Sequence, residues 1–144
     1  MRLGRAILIF IMSLWRMTPV PILDFMTGNP ITGVLQRGDR GRRYQSILNG
    51  LTPTELQGVR TALDAKISGD DIHTAGWMPG SNWLNTPFWP IYAGPAQRDF
   101  SWAGLMFGLL VWEAFERHPG DWLTGKFEIN GVDIGSRTYW RRRY

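Results

Sequence analysis

Cysteine is absent from this 144-residue chain, which excludes a disulfide framework, thiol catalysis and every cysteine-ligated zinc or iron-sulfur centre. Histidine is nearly absent: His73 and His118 are the only two, so a zinc site would need carboxylates as well. Lysine is as scarce, since fourteen of the sixteen basic residues are arginine. The longest apolar run, Ala6 to Met12, has seven residues, against the roughly twenty that a helix needs to cross a bilayer. Also missing are a nucleophile elbow, a P-loop, a dinucleotide fingerprint and an HExxH metal motif. No cofactor is expected, and the reading leans away from an enzyme.

What is present is enough apolar material for a core. Hydrophobic residues make up 44% and charged residues 19%, a balance that offsets chain entropy and argues against disorder. The organisation expected is a hydrophobic N-terminal arm over residues 1–16, with Met17 as an alternative start, followed by one globular domain over 17–144. The arm reads first as an ordinary buried segment. Alternatives are an anchor that makes a peripheral membrane contact through residues 6–15, an uncleaved signal, or an organellar presequence. The cytoplasm is the favoured compartment.

Punctuation and periodicity predict an α+β, mainly helical domain. Thr52, Pro53 and Glu55 form an N-cap, a first-turn proline and a capping box for an amphipathic helix over 53–67, with Leu56, Val59, Leu63 and Ile67 as its apolar stripe. A central core helix is expected over 100–117, capped by Asp99 or Ser101 and apolar nearly all round from Trp102 to Trp112. Its Gly104 and Gly108 are read as letting another element approach closely. A shorter helix is expected over about 40–49, and helical turns around 22–27 and 30–36, where Asn29-Pro30 resembles an N-cap pair. Residues 74–95 read as a long aromatic loop without a regular period. Asn130-Gly131 between Phe127-Glu128-Ile129 and Val132-Asp133-Ile134 predicts a hairpin within about 126–142, with Thr138, Tyr139 and Trp140 as a third strand.

Candidate chemistry is thin. His73 with Asp71, or Glu113 with Glu116, supplies residue types for acid-base hydrolysis, although Glu113 and Arg117 also stand at the spacing favoured for a helical ion pair. The hairpin register sets Glu128 opposite Asp133, with Cβ atoms about 4.5–5.5 Å apart. Nearby arginines are expected to neutralise that pair, and a hard divalent cation is the alternative. Binding candidates are more numerous. Trp77, Trp83, Phe88, Trp89 and Tyr92 could form a stacking or anchoring surface or a lid on the core. Arg37, Arg40, Arg42 and Arg43 are interleaved with glycine and give residues 37–43 a charge of +3, whereas residues 60–133 sum to −4.

The leading expectation is a non-catalytic protein-interaction or assembly subunit, with a protein partner or a homo-oligomer, that uses the aromatic loop and the arginine cluster. The alternatives are a small hydrolase and a nucleic-acid-associated basic protein whose arginines track phosphates.

Overall fold

A computed structural model of the chain describes residues 21–68, 72–74, 79, 82–118, 122–129 and 132–142, with backbone alone at 72, 74, 127–129 and 132–136. The arm, the domain boundary at residue 17, Asp71 and Trp77 lie outside these residues.

Local chemistry sets the two long helices where the sequence places them. In the helix Pro53–Ile67, the Thr52 hydroxyl accepts from the Glu55 amide at 3.1 Å, and the Glu55 carboxylate accepts from the Thr52 amide at 2.9 Å. Two of the first-turn N–H groups that have no helical acceptor are thereby satisfied. Val59, Leu63 and Ile67 are fully buried. Asp99 caps the helix Phe100–Arg117 by accepting from the Trp102 amide at 3.0 Å. A third helix, Gly38–Gly50, turns sharply into Pro53–Ile67 through Leu51 and Thr52. A close approach explains its last residue, since a Cβ at Gly50 would stand 2.7 Å from Pro95. With the short Trp89–Ala93 turn, the helices in chain order are α1 (Gly38–Gly50), α2 (Pro53–Ile67), α3 (Trp89–Ala93) and α4 (Phe100–Arg117).

Five strands form one sheet: β1 (Ile22–Asp24), β2 (Pro30–Ile31), β3 (Ile72–Thr74), β4 (Trp122–Ile129) and β5 (Val132–Arg141), in the order β2-β1-β4-β5-β3. The β1 and β4 pair is parallel and the others antiparallel. Helix outweighs strand, so the class is α+β and mainly α. No helix among the described residues is long and apolar enough to cross a membrane.

Several expectations need correction. Residues 22–31 form a small hairpin, not helical turns. The Asp24 carboxylate accepts from the Met26 and Thr27 amides at 2.8 and 3.0 Å, and Gly28 adopts φ +71°, a left-handed geometry that suits glycine. Pro30 therefore opens an edge strand, where its missing N–H is harmless. Thr138, Tyr139 and Trp140 belong to β5 itself; the further strands come from β1 and β3, distant in sequence. Ile129 pairs with Val132 and Glu128 with Asp133 as the turn signal requires, but a register shift between Lys126 and Glu128 breaks the continuation to Phe127 and Ile134.

The core is aromatic where α4 meets the sheet. Phe115 stacks on Tyr139 with centroids 4.0 Å apart and meets Trp122 edge-on at 4.6 Å. At the other end of α4, Phe107 packs against Trp83 at 5.6 Å and Phe88 at 5.1 Å. Thr52→Ala is expected to lower the unfolding free energy by about 1 kcal/mol, and Phe115→Ala by about 4 kcal/mol. Urea denaturation followed by circular dichroism checks both, and equal losses would contradict this division between cap and core.

Candidate functional site

The strongest charge constellation lies at the junction of α1, α2 and α4. Glu113, with its side chain 8% exposed, receives four donors. Tyr44 donates its hydroxyl to Oε2. Arg60 donates Nε to Oε1 at 2.7 Å and Nη2 to Oε2 at 2.8 Å. Arg117 donates Nη1 to Oε1 at 3.1 Å and reaches Asp64 at 3.4 Å. An ionised carboxylate has roughly four acceptor positions, and here each oxygen takes two donors. Burial pushes the Glu113 carboxyl up, but the hydrogen bonds from Arg60 and Tyr44, with the charges of Arg60 and Arg117, hold it below its ordinary value. Tyr44 is pushed up to about 12 by burial and by its bond to Glu113.

Glu116 sits in a different environment. Trp112 donates its indole N–H to Glu116 at 2.6 Å. Burial raises the Glu116 carboxyl above its ordinary value, and the neighbouring Glu113 charge adds to that rise. The acid-base reading of the pair is therefore not supported: one carboxylate is saturated by internal donors and can accept no substrate proton, although the Glu113–Arg117 ion pair forms as its spacing suggests.

His73 is also a packing residue. On β3 its backbone pairs with Tyr139, and its ring, 7% exposed, meets Phe115 and Trp122 at 5.6 and 5.7 Å. The backbone register sets Glu128 opposite Asp133 and, beyond the shift, Lys126 opposite Arg137; the carboxylates themselves lie outside the described residues. Among the described residues no cluster of three metal-ligating side chains occurs.

Among the described residues of the aromatic loop, Trp83 and Phe88 act as a lid on the core. Trp83 and Phe88 are buried on Phe107, while Trp89 and Tyr92 are half-buried. These burials correct the picture of a stacking surface, because the faces of Trp83 and Phe88 are spent on the core. Large exposed apolar side chains stand instead at the start of α4, as they do at Phe25, Met26 and Leu84. Phe100, Trp102 and Leu105 are 60%, 48% and 51% exposed. Phe100 stacks on Tyr92 with centroids 4.4 Å apart, joining the loop to this end of the helix.

Of the arginines over 37–43, Arg42 and Arg43 of α1 share a groove with Trp102 of α4. Arg37, Arg40 and Arg42 are exposed, with Arg42 paired to Asp39. Arg43 is half-buried, its guanidinium carbon 5.0 Å from the Trp102 ring centroid. Between the two helices runs a groove of about 400 Å³ lined by Asp39, Arg42, Arg43, Ser46, Trp102 and Met106. A larger hollow of about 670 Å³ lies along α1, around Leu35, Gly38 and Gln45, away from the exposed aromatics. Gly104 and Gly108 do not serve close internal packing, because among the described residues nothing lies within 4 Å of where their Cβ atoms would be.

The Glu113 centre generates a stability prediction with a definite sign. Because its folded carboxyl is held below the ordinary value of 4.5, the stabilisation is present above that pH and lost as pH falls through the lower folded value. Glu116 works in the opposite sense, reducing stability as pH rises through its elevated folded value. Glu113→Gln is expected to cost about 3–5 kcal/mol at neutral pH by leaving Arg60 without its anion. The gap from wild type should shrink below pH 4.5 in urea titrations, and a pH-independent gap would contradict the ionic account.

Comparison with family models, curated proteins and solved structures finds no match for this chain, so the functional reading rests on the chemistry of its own surface.

Proposed function

We propose that this chain is a non-catalytic protein-interaction or assembly subunit, and that the face formed by α1 and the first half of α4 receives an acidic protein partner. One observation carries this reading: Trp102, exposed on α4, shares a groove with Arg42 and Arg43 of α1. Single exposed hydrophobics are ordinary on any surface. Trp102 and Leu105, however, are neighbours at i, i+3 on the helix, with Arg43 over the indole.

Tryptophan and arginine are the residue types that most often dominate binding energy at protein interfaces. Covering rings that are already half-buried recovers part of the about 1.5–3 kcal/mol that full burial of a large apolar side chain is worth. The charge of +3 over residues 37–43 selects the partner's sign and accelerates encounter. It also disfavours a two-fold self-contact, because such a contact brings the same patch, and so the same positive charge, to both sides.

An amphipathic peptide of leucine and glutamate, titrated into isotopically labelled protein, is expected to perturb amide resonances of α1 and of residues 100–108. The Trp102→Ala/Leu105→Ala double variant should bind it roughly tenfold more weakly or worse, with an unchanged circular dichroism spectrum. Equal binding of the leucine-lysine counterpart, or of the double variant, would refute this assignment.

A further inference from the structure

We infer that the groove between α1 and α4 is a carboxylate subsite, in which Arg43 holds an aspartate or glutamate of the partner while Trp102 and Met106 receive the apolar side chain next to it. The inference rests on the interaction face proposed above and names what that face recognises.

Three features converge. The Nε–H of Arg43 is buried and has no acceptor among the described residues. A buried donor without an acceptor is costly, and a ligand oxygen drawing the guanidinium into the groove would supply what is missing. The guanidinium carbon lies 5.0 Å from the Trp102 ring centroid, so a carboxylate met by the planar fork stands next to an apolar face. The groove's other members then divide by chemistry. Arg42, paired with Asp39 at the exposed rim, adds a second positive charge, Ser46 turns its hydroxyl back to the Arg42 carbonyl at 3.1 Å, and Trp102 and Met106 supply the apolar wall.

Phosphate would satisfy the same donor. A nucleic-acid backbone, though, presents repeating anions without an aliphatic side chain to fill the wall, and the apolar wall of Trp102 and Met106 favours a protein ligand.

Two blocked peptides of identical sequence, one bearing glutamate and one glutamine beside a leucine, test this by the chemical shift of the Trp102 indole N–H. That resonance is assigned by its loss in Trp102→Ala. The glutamate peptide is expected to bind roughly tenfold more tightly, the scale of one charge-assisted hydrogen bond. Arg43→Gln should abolish that preference, and Arg43→Lys should restore only part of it, because an ammonium keeps the charge without the fork. Thermal unfolding confirms that each variant is folded.

Equal binding of the two peptides, with their shifts of the α1 amide resonances lost in Trp102→Ala, would overturn the carboxylate subsite and leave the interaction face standing. Absence of binding by either would overturn both. A short oligothymidine that shifts the same resonance with steep salt dependence, and displaces the glutamate peptide, would overturn the subsite in favour of phosphate recognition.

Discussion

Glu113 is the point on which the helical half of the molecule depends. A buried carboxylate is tolerated only when opposite charge and hydrogen bonds replace lost water, and here the replacements come from three helices: Tyr44 of α1, Arg60 of α2 and Arg117 of α4 itself. Apolar contacts alone would permit α1 to slide or rotate on α4 with modest cost. A directional bond from Tyr44 does not, because moving α1 by one residue would take the hydroxyl away and leave the acceptor short. The clamp therefore fixes the register of α1, and through it the position of the adjacent residue Arg43 over Trp102.

The same constraint divides α4. Its second half lies between the sheet, through Phe115 and Tyr139, and the helices that hold Glu113. Its first half meets, among the described residues, Trp83 and Phe88 of the aromatic loop, Tyr92 on Phe100 and Arg43 over Trp102. The loop thus does structural work that the short strands cannot do, and it leaves the other side of the helix open at Ser101, Gly104 and Leu105.

Much of this was legible where the signals are local. The capping box at Thr52, the Asp99 cap and the Asn-Gly register of Glu128 with Asp133 each depend on residues a few positions apart, and all three are realised. The failures share a different cause. Asn29-Pro30 satisfies the same local rule as a helix start, but Asp24 and Gly28 close a turn that competes with it, and the parallel pairing of β1 with β4 joins segments about a hundred residues apart. No periodicity announces such a partner. The same holds for Glu113: the bond to Arg117 is written in the spacing, whereas Tyr44 and Arg60 reach it only through the tertiary fold. The composition of the aromatic loop marks it as unusual but does not say which rings turn inward, and it carries no sign of Phe100 and Trp102, exposed on the helix that follows.

The open end of α4 is difficult to explain by stability alone. Positions 101, 102, 104 and 105 face solvent, so polar or charged residues there would leave the core untouched and improve solubility. Glycine at 104 and 108 lowers helix propensity, and among the described residues it meets no neighbour that needs the space. A helix that carries large apolar side chains and flat glycine surface on its uncovered side, next to a guanidinium whose Nε–H has no acceptor among the described residues, gives up stability in isolation. A partner that covers the rings, packs close against the glycines and brings an acceptor to Arg43 would recover all three losses at once.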